Sequence, residues 1–90
     1  MRQKTGFVLR EVCGEKVIIG EGIETVNFGK LISVNDTAAW VWQKAKELGE
    51  FTAEELGEAM SREFNVEIAD AIADIRELLQ SWQELGLTEG

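Results

Sequence analysis

Leu31-Ile32-Ser33-Val34-Asn35-Asp36-Thr37-Ala38-Ala39-Trp40-Val41-Trp42 is the stretch in which the chain changes from one kind of secondary structure to another. Leu31 to Val34 are apolar or small with two β-branched members, which predicts a short strand. Asn35 then suits a helix N-cap, because its side-chain oxygen can accept a bond from the backbone N–H groups of the next turn. Beyond it Ala38, Val41, Trp42, Ala45 and Leu48 recur at three- and four-residue intervals, so one helical face carries the Trp42 indole into a core. The chain before this junction reads as strands, and the chain after it as helices.

Upstream, Phe7–Val12 and Lys16–Gly20 are β-rich runs separated by Cys13-Gly14-Glu15, a hairpin signal with Gly14 free to take positive φ. Glu21–Lys30 reads as a loop or a small extra hairpin with an apolar patch at Val26 and Phe28. It leads into Leu31–Val34, the third strand of an antiparallel sheet and an edge whose unpaired N–H and C=O groups can accept another strand.

Downstream, the first helix runs from about Asp36 to Leu48 and stops at Gly49. Trp40 lies on its far side, either covered by the Val26/Phe28 loop or exposed to a partner, and exposed aromatics often anchor interfaces. Thr52-Ala53-Glu54-Glu55 has capping-box spacing and starts a second helix, whose Leu56, Met60 and Phe64 point inward until Asn65 ends it. Met60 reads as core. The third helix, Ile68 to Leu85, carries an apolar band wider than a two-helix contact needs: Ile72 and Leu79 lie on one margin beside Arg76, and Leu78 and Leu85 on the other. Gly86 stops it, and Leu87 folds back on its last turn. The expectation is one α+β domain over residues 1–90, winged-helix-like, with a three-stranded antiparallel sheet followed by three helices.

Charge narrows the function. The net charge is −8, and residues 47–90 hold two Lys/Arg against twelve Asp/Glu. Such a surface repels phosphate, which disfavours nucleic acid and anionic membranes. No apolar run is long enough to span a bilayer, and Met1–Lys4 leads into strand-like sequence without a signal peptide, so a cytoplasmic location is expected. The single Cys13, at the hairpin tip, fits a reducing compartment. With no His, one Cys and no Tyr, the usual nucleophile–base pairs and most zinc sets cannot be assembled, so neither an enzyme nor a metal or other cofactor is expected. The carboxylate pairs Glu54/Glu58 and Asp70/Asp74 share helical faces on the solvent side and imply no pocket.

Two function classes remain. Winged-helix folds commonly read DNA, which makes a nucleic-acid-binding or transcription-related protein one alternative. The third helix, however, offers only Arg76 among Glu67, Asp70, Asp74, Glu77 and Glu84. The other class is a peptide-binding adaptor, in which an extended ligand adds to the edge Leu31, Ile32, Ser33 and Val34 against a wall of Ile72, Arg76 and Leu79.

A family resemblance favours the second class. Asn35, Thr37, Ala38, Val41 and Trp42 meet an Asn-x-Thr-Ala-x-x-aliphatic-Trp signature. With Phe51–Leu56, Phe64-Asn65-Val66, Asp74-Ile75, Leu78-Leu79 and Leu85-Gly86-Leu87, nearly the whole chain resembles the coenzyme PQQ synthesis protein D (PqqD)-like family. The resemblance implies a recognition element for ribosomally made precursor peptides. Such an element is a non-catalytic peptide chaperone that holds a leader between third strand and third helix for a modifying enzyme, often a radical S-adenosylmethionine (radical SAM) enzyme. The Leu31–Val34 edge itself allows either a monomer or an edge-paired homodimer. The chain departs from the PQQ members in its longer Gly20–Lys30 stretch, which could cover the groove, and in Val34 where Leu is usual, so PQQ biosynthesis itself is not implied.

Overall fold

A computed structural model describes residues 1–20 and 31–90. The expected loop or extra hairpin at Glu21–Lys30, its cover over Trp40 and its effect on the groove lie outside the described residues. The elements are β1 (Arg2–Gln3), β2 (Phe7–Val12), β3 (Glu15–Gly20), β4 (Leu31–Val34), α1 (Asp36–Leu48), α2 (Ala53–Phe64), α3 (Ile68–Glu84) and β5 (Thr88–Glu89). Strands β2, β3 and β4 form an antiparallel sheet in that order, and the three helices come after it in an α+β, winged-helix-like arrangement.

The β2–β3 hairpin turns through Cys13 and Gly14, both at positive φ (53° and 81°), the two-residue geometry that matches strand twist. β3 pairs with β4 so that Ile18 faces Ile32 and Lys16 faces Val34. Ile18, Ile32 and Val34 thereby turn to the helices, and the core gathers them with Val41, Trp42, Phe51, Leu56, Ile75 and Trp82. Trp42 and Trp82 meet edge to face at 5.1 Å, a contact that stabilises by about 0.5–1.5 kcal/mol beyond area burial.

Local chemistry sets the helix ends. Asn35 Oδ1 accepts the Ala38 N–H at 2.7 Å, and Gly49 closes α1 with its own N–H donating to the Ala45 carbonyl. Thr52 and Glu55 complete a reciprocal capping box. Asn65, in the left-handed region at φ 54°, ends α2. At the end of α3 the Leu87 N–H returns to the Trp82 carbonyl, and Leu87 is fully buried.

Two arrangements differ from the sequence expectation. A second, two-stranded sheet pairs Arg2 with Glu89 and Gln3 with Thr88; two-residue strands carry no periodicity to read. Phe64 is 42% exposed, at the last residue of α2, and lies edge-on to half-buried Trp40 at 5.2 Å instead of entering the core.

Candidate functional site: a strand edge and the cleft beside it

Among the described residues β4 is hydrogen-bonded only to β3, so its outer side is a free edge. Its side chains alternate: Leu31 and Ser33 face outward and are exposed, and Ile32 and Val34 are half-buried against the core. β2 is the other free edge of this sheet among the described residues, and it carries Arg10 and Glu11, the charged residues that blunt edge pairing.

At the end of β4 the chain turns through Asn35 into α1, and there a cleft of about 360 Å³ opens between α1, α2 and α3. Ala38, Val41, Met60, Ile75 and Leu78 make it apolar, and Asn35, Thr37 and Asp74 give it polar edges. The corner is braced by Lys16 of β3, whose ammonium lies 3.1 Å from the Asp36 carboxylate. The cleft thus begins at Asn35, the residue that follows β4, with α3 on its far side.

α3 lends this cleft Asp74, Ile75 and Leu78. Residues advance about 100° each along a helix, so Ile72, Arg76 and Leu79 lie on roughly the opposite side of α3 from Asp74 and Leu78. Ile72 packs on α2 at Gly57, where the missing Cβ lets the two helices approach closely. The Arg76 guanidinium donates to Glu54 of α2 at 2.6 Å. That bond holds the Glu54 carboxyl below the usual carboxylate range, helped by a backbone hydrogen bond and only partly opposed by desolvation. Leu79 is buried and lines a second hollow with Met1, Phe51, Ala53 and Arg76. Of the expected wall of Ile72, Arg76 and Leu79, Ile72 meets Gly57 and Arg76 meets Glu54 on α2, and Leu79 is buried. Asp74, Ile75 and Leu78 line the cleft that begins at Asn35. The sequence signal for the α2–α3 contact is Gly57, a glycine in a helix interior, which costs about 1 kcal/mol against Ala and marks a close backbone approach.

Among the described residues no group of three or more His, Cys, Asp or Glu side chains could hold a metal, and no helix is long and apolar enough to cross a membrane. The site presents main-chain donors and acceptors along an edge, and an apolar hollow at its end.

Comparison with known families then assigns the chain. The family described as coenzyme PQQ synthesis protein D (PqqD) matches residues 14–87. The chain belongs to the PqqD family. Two solved structures share its fold. TbiB1 in complex with the TbiA(beta) leader peptide is 20% identical, with a TM-score of 0.78 over 100% of this chain and 96% of that one. Lasso peptide synthetase B1 complexed with the leader peptide is 24% identical, with a TM-score of 0.74 over 99% and 96%. No curated protein matches. As a PqqD-family chain it contains the cap, Trp42 and the closing Gly86-Leu87 within or at the limit of the matched stretch, and all three are structural elements of the helices that surround the cleft.

Proposed function

We propose that this chain is a non-catalytic adaptor that binds the leader of a ribosomally made precursor peptide and presents it to a modifying enzyme. The leader adds to β4 as a further strand through the backbone of Leu31, Ile32, Ser33 and Val34, and its inward side chains press toward Asp74, Ile75 and Leu78 of α3. Main-chain bonds supply much of the affinity, and the cleft supplies the selectivity. Ile72, Arg76 and Leu79 act on the ligand indirectly, by fixing α3 against α2.

The observation that carries this reading is a strand edge that is free among the described residues, followed at Asn35 by an apolar cleft of about 360 Å³. The leader peptides held by TbiB1 and by lasso peptide synthetase B1 in their structures support it. The modifying enzyme, of the radical SAM class or another, completes the function. The site of action is the cytoplasm, where precursor peptides are made and where the exposed, free thiol of Cys13 stays reduced. The DNA-reading alternative has little to work with, because the one cation on α3, Arg76, is bound to Glu54.

An amide-shift titration of the labelled chain with a candidate leader peptide should move signals of β4 and of the Asp74–Leu78 side of α3. Ile32→Pro should abolish those shifts while the helical circular dichroism persists, since proline removes a strand donor. Shifts confined to α2 would refute the assignment.

A further inference from the structure

Asp74 is the one charged side chain among the described residues that line the cleft at the end of β4. Its neighbours one turn away on α3, Asp70 and Glu77, are also acidic and add to the negative potential at this edge, and the only cation of the helix, Arg76, is on its far side and donates to Glu54 at 2.6 Å. Asp74 forms no ion pair among the described residues, and it stands at the edge of an otherwise apolar hollow. The start of α1 also borders this hollow, and a helix N-terminus by itself would favour an anion. Here that tendency is offset within the chain, because Asn35 accepts the Ala38 N–H and Asp36 occupies the first turn.

We infer that the leader taken by this chain carries a Lys or Arg two residues before an apolar side chain, the apolar group resting on the cleft floor and the cation meeting Asp74. This rests on the leader-binding reading above and adds to it the chemistry of the bound sequence. Strand geometry gives the spacing. Val34 turns its side chain toward the helices, so the guest residue opposite Val34 turns the same way and lies toward the floor formed by Ala38, Val41 and Leu78. Both pairings already in this sheet are antiparallel, and a guest that keeps that pattern runs against β4, so its preceding residues extend past Asn35. Side chains return to one face every second residue, and the next one on that face is therefore two positions earlier, at the Thr37/Asp74 edge. A Lys or Arg there can lay its aliphatic stem on the apolar lining and keep its charged end at the carboxylate.

The test uses a phage-displayed library of random dodecapeptides, panned on the full chain and on its Asp74→Lys variant. Binders to the unaltered chain should share a Lys or Arg two residues before an apolar position, and binders to D74K should carry Asp or Glu there. For a synthetic peptide of the first consensus, Asp74→Asn should weaken binding roughly two- to five-fold, the range of a partly exposed ion pair. The loss should shrink at high salt and vanish when the peptide cation is replaced by Ala. Binders that depend on Ile32 by the proline test, yet show no cation and the same consensus on D74K, would overturn this inference and leave strand addition standing. Binders indifferent to Ile32→Pro, or no binders at all, would sink both.

Discussion

Gly57→Ala is the substitution whose outcome the α2–α3 contact determines most directly. In an open helix the change should stabilise by about 1 kcal/mol, because Ala loses less backbone freedom on folding. Gly57 is buried against α3, however, and a Cβ built there would collide with Ile72 Cγ1 and stand 3.0 Å from Ile72 Cα and 3.1 Å from its backbone nitrogen. Rotation of the Ile72 side chain can relieve the first collision, but only displacement of α3 relieves the other two. Overfilling of this kind costs about 1–3 kcal/mol, and contact with backbone puts it near the upper end. Less the gain in propensity, the net loss is about 1–2 kcal/mol, or a fall in Tm of roughly 5–15 °C for a domain of this size. Thermal and urea unfolding followed by far-ultraviolet circular dichroism measure it. Ile72→Ala removes Cγ1 but leaves Cα and N in place, so the double variant should recover part of the Gly57→Ala loss in a double-mutant cycle and not all of it. A G57A chain as stable as the original, or more so, would refute the claim that the missing Cβ is what allows the two helices to meet.

Other consequences are simpler to check. Thr52→Ala removes the hydroxyl that accepts the Glu55 N–H at 3.1 Å and should cost about 1 kcal/mol in urea unfolding, with no effect on peptide affinity. Arg76→Ala should raise the Glu54 carboxyl toward its ordinary value in an NMR pH titration, because the Arg76 hydrogen bond is the main cause of its depression. Since the folded-state value lies below the unfolded one, the pair's contribution is present above the ordinary carboxylate range and fades as pH falls through the lowered folded value; R76A should remove that part of the acid limb. An unchanged Glu54 titration would contradict the assignment.

The features legible in the sequence are those fixed by nearest neighbours. Asn35, the Thr52/Glu55 box, Gly49 and Gly86-Leu87 act within one helical turn, and the spacing of Ala38, Val41 and Trp42 names a buried face without naming its partner. The β4 edge was legible for the same reason, since Leu31–Val34 is too short and too uniform to be anything but a strand before a cap. A helical period cannot give rotation relative to neighbours. The broad apolar band of α3 leaves its rotation open, and the contacts that fix it come from elsewhere, from Gly57 and from Glu54 one turn before it, which draw Ile72 and Arg76 to α2. Phe64 kept the four-residue spacing of Leu56 and Met60 but stands at the last residue of α2, where the period continues and the core does not.

The pairing of Arg2–Gln3 with Thr88–Glu89 bears on how the molecule is made. Met1 accepts a bond from the Phe51 N–H and Arg2 bridges to Glu50, so the opening residues can dock once the link between the first two helices has been synthesised. Their remaining partner, Thr88–Glu89, follows α3 and is synthesised after all three helices. Hairpin and helices can therefore assemble during translation, but the last clasp on the Trp82 and Leu87 region closes after Glu89 has appeared, and until then the nascent domain leaves one flank of its interior wet.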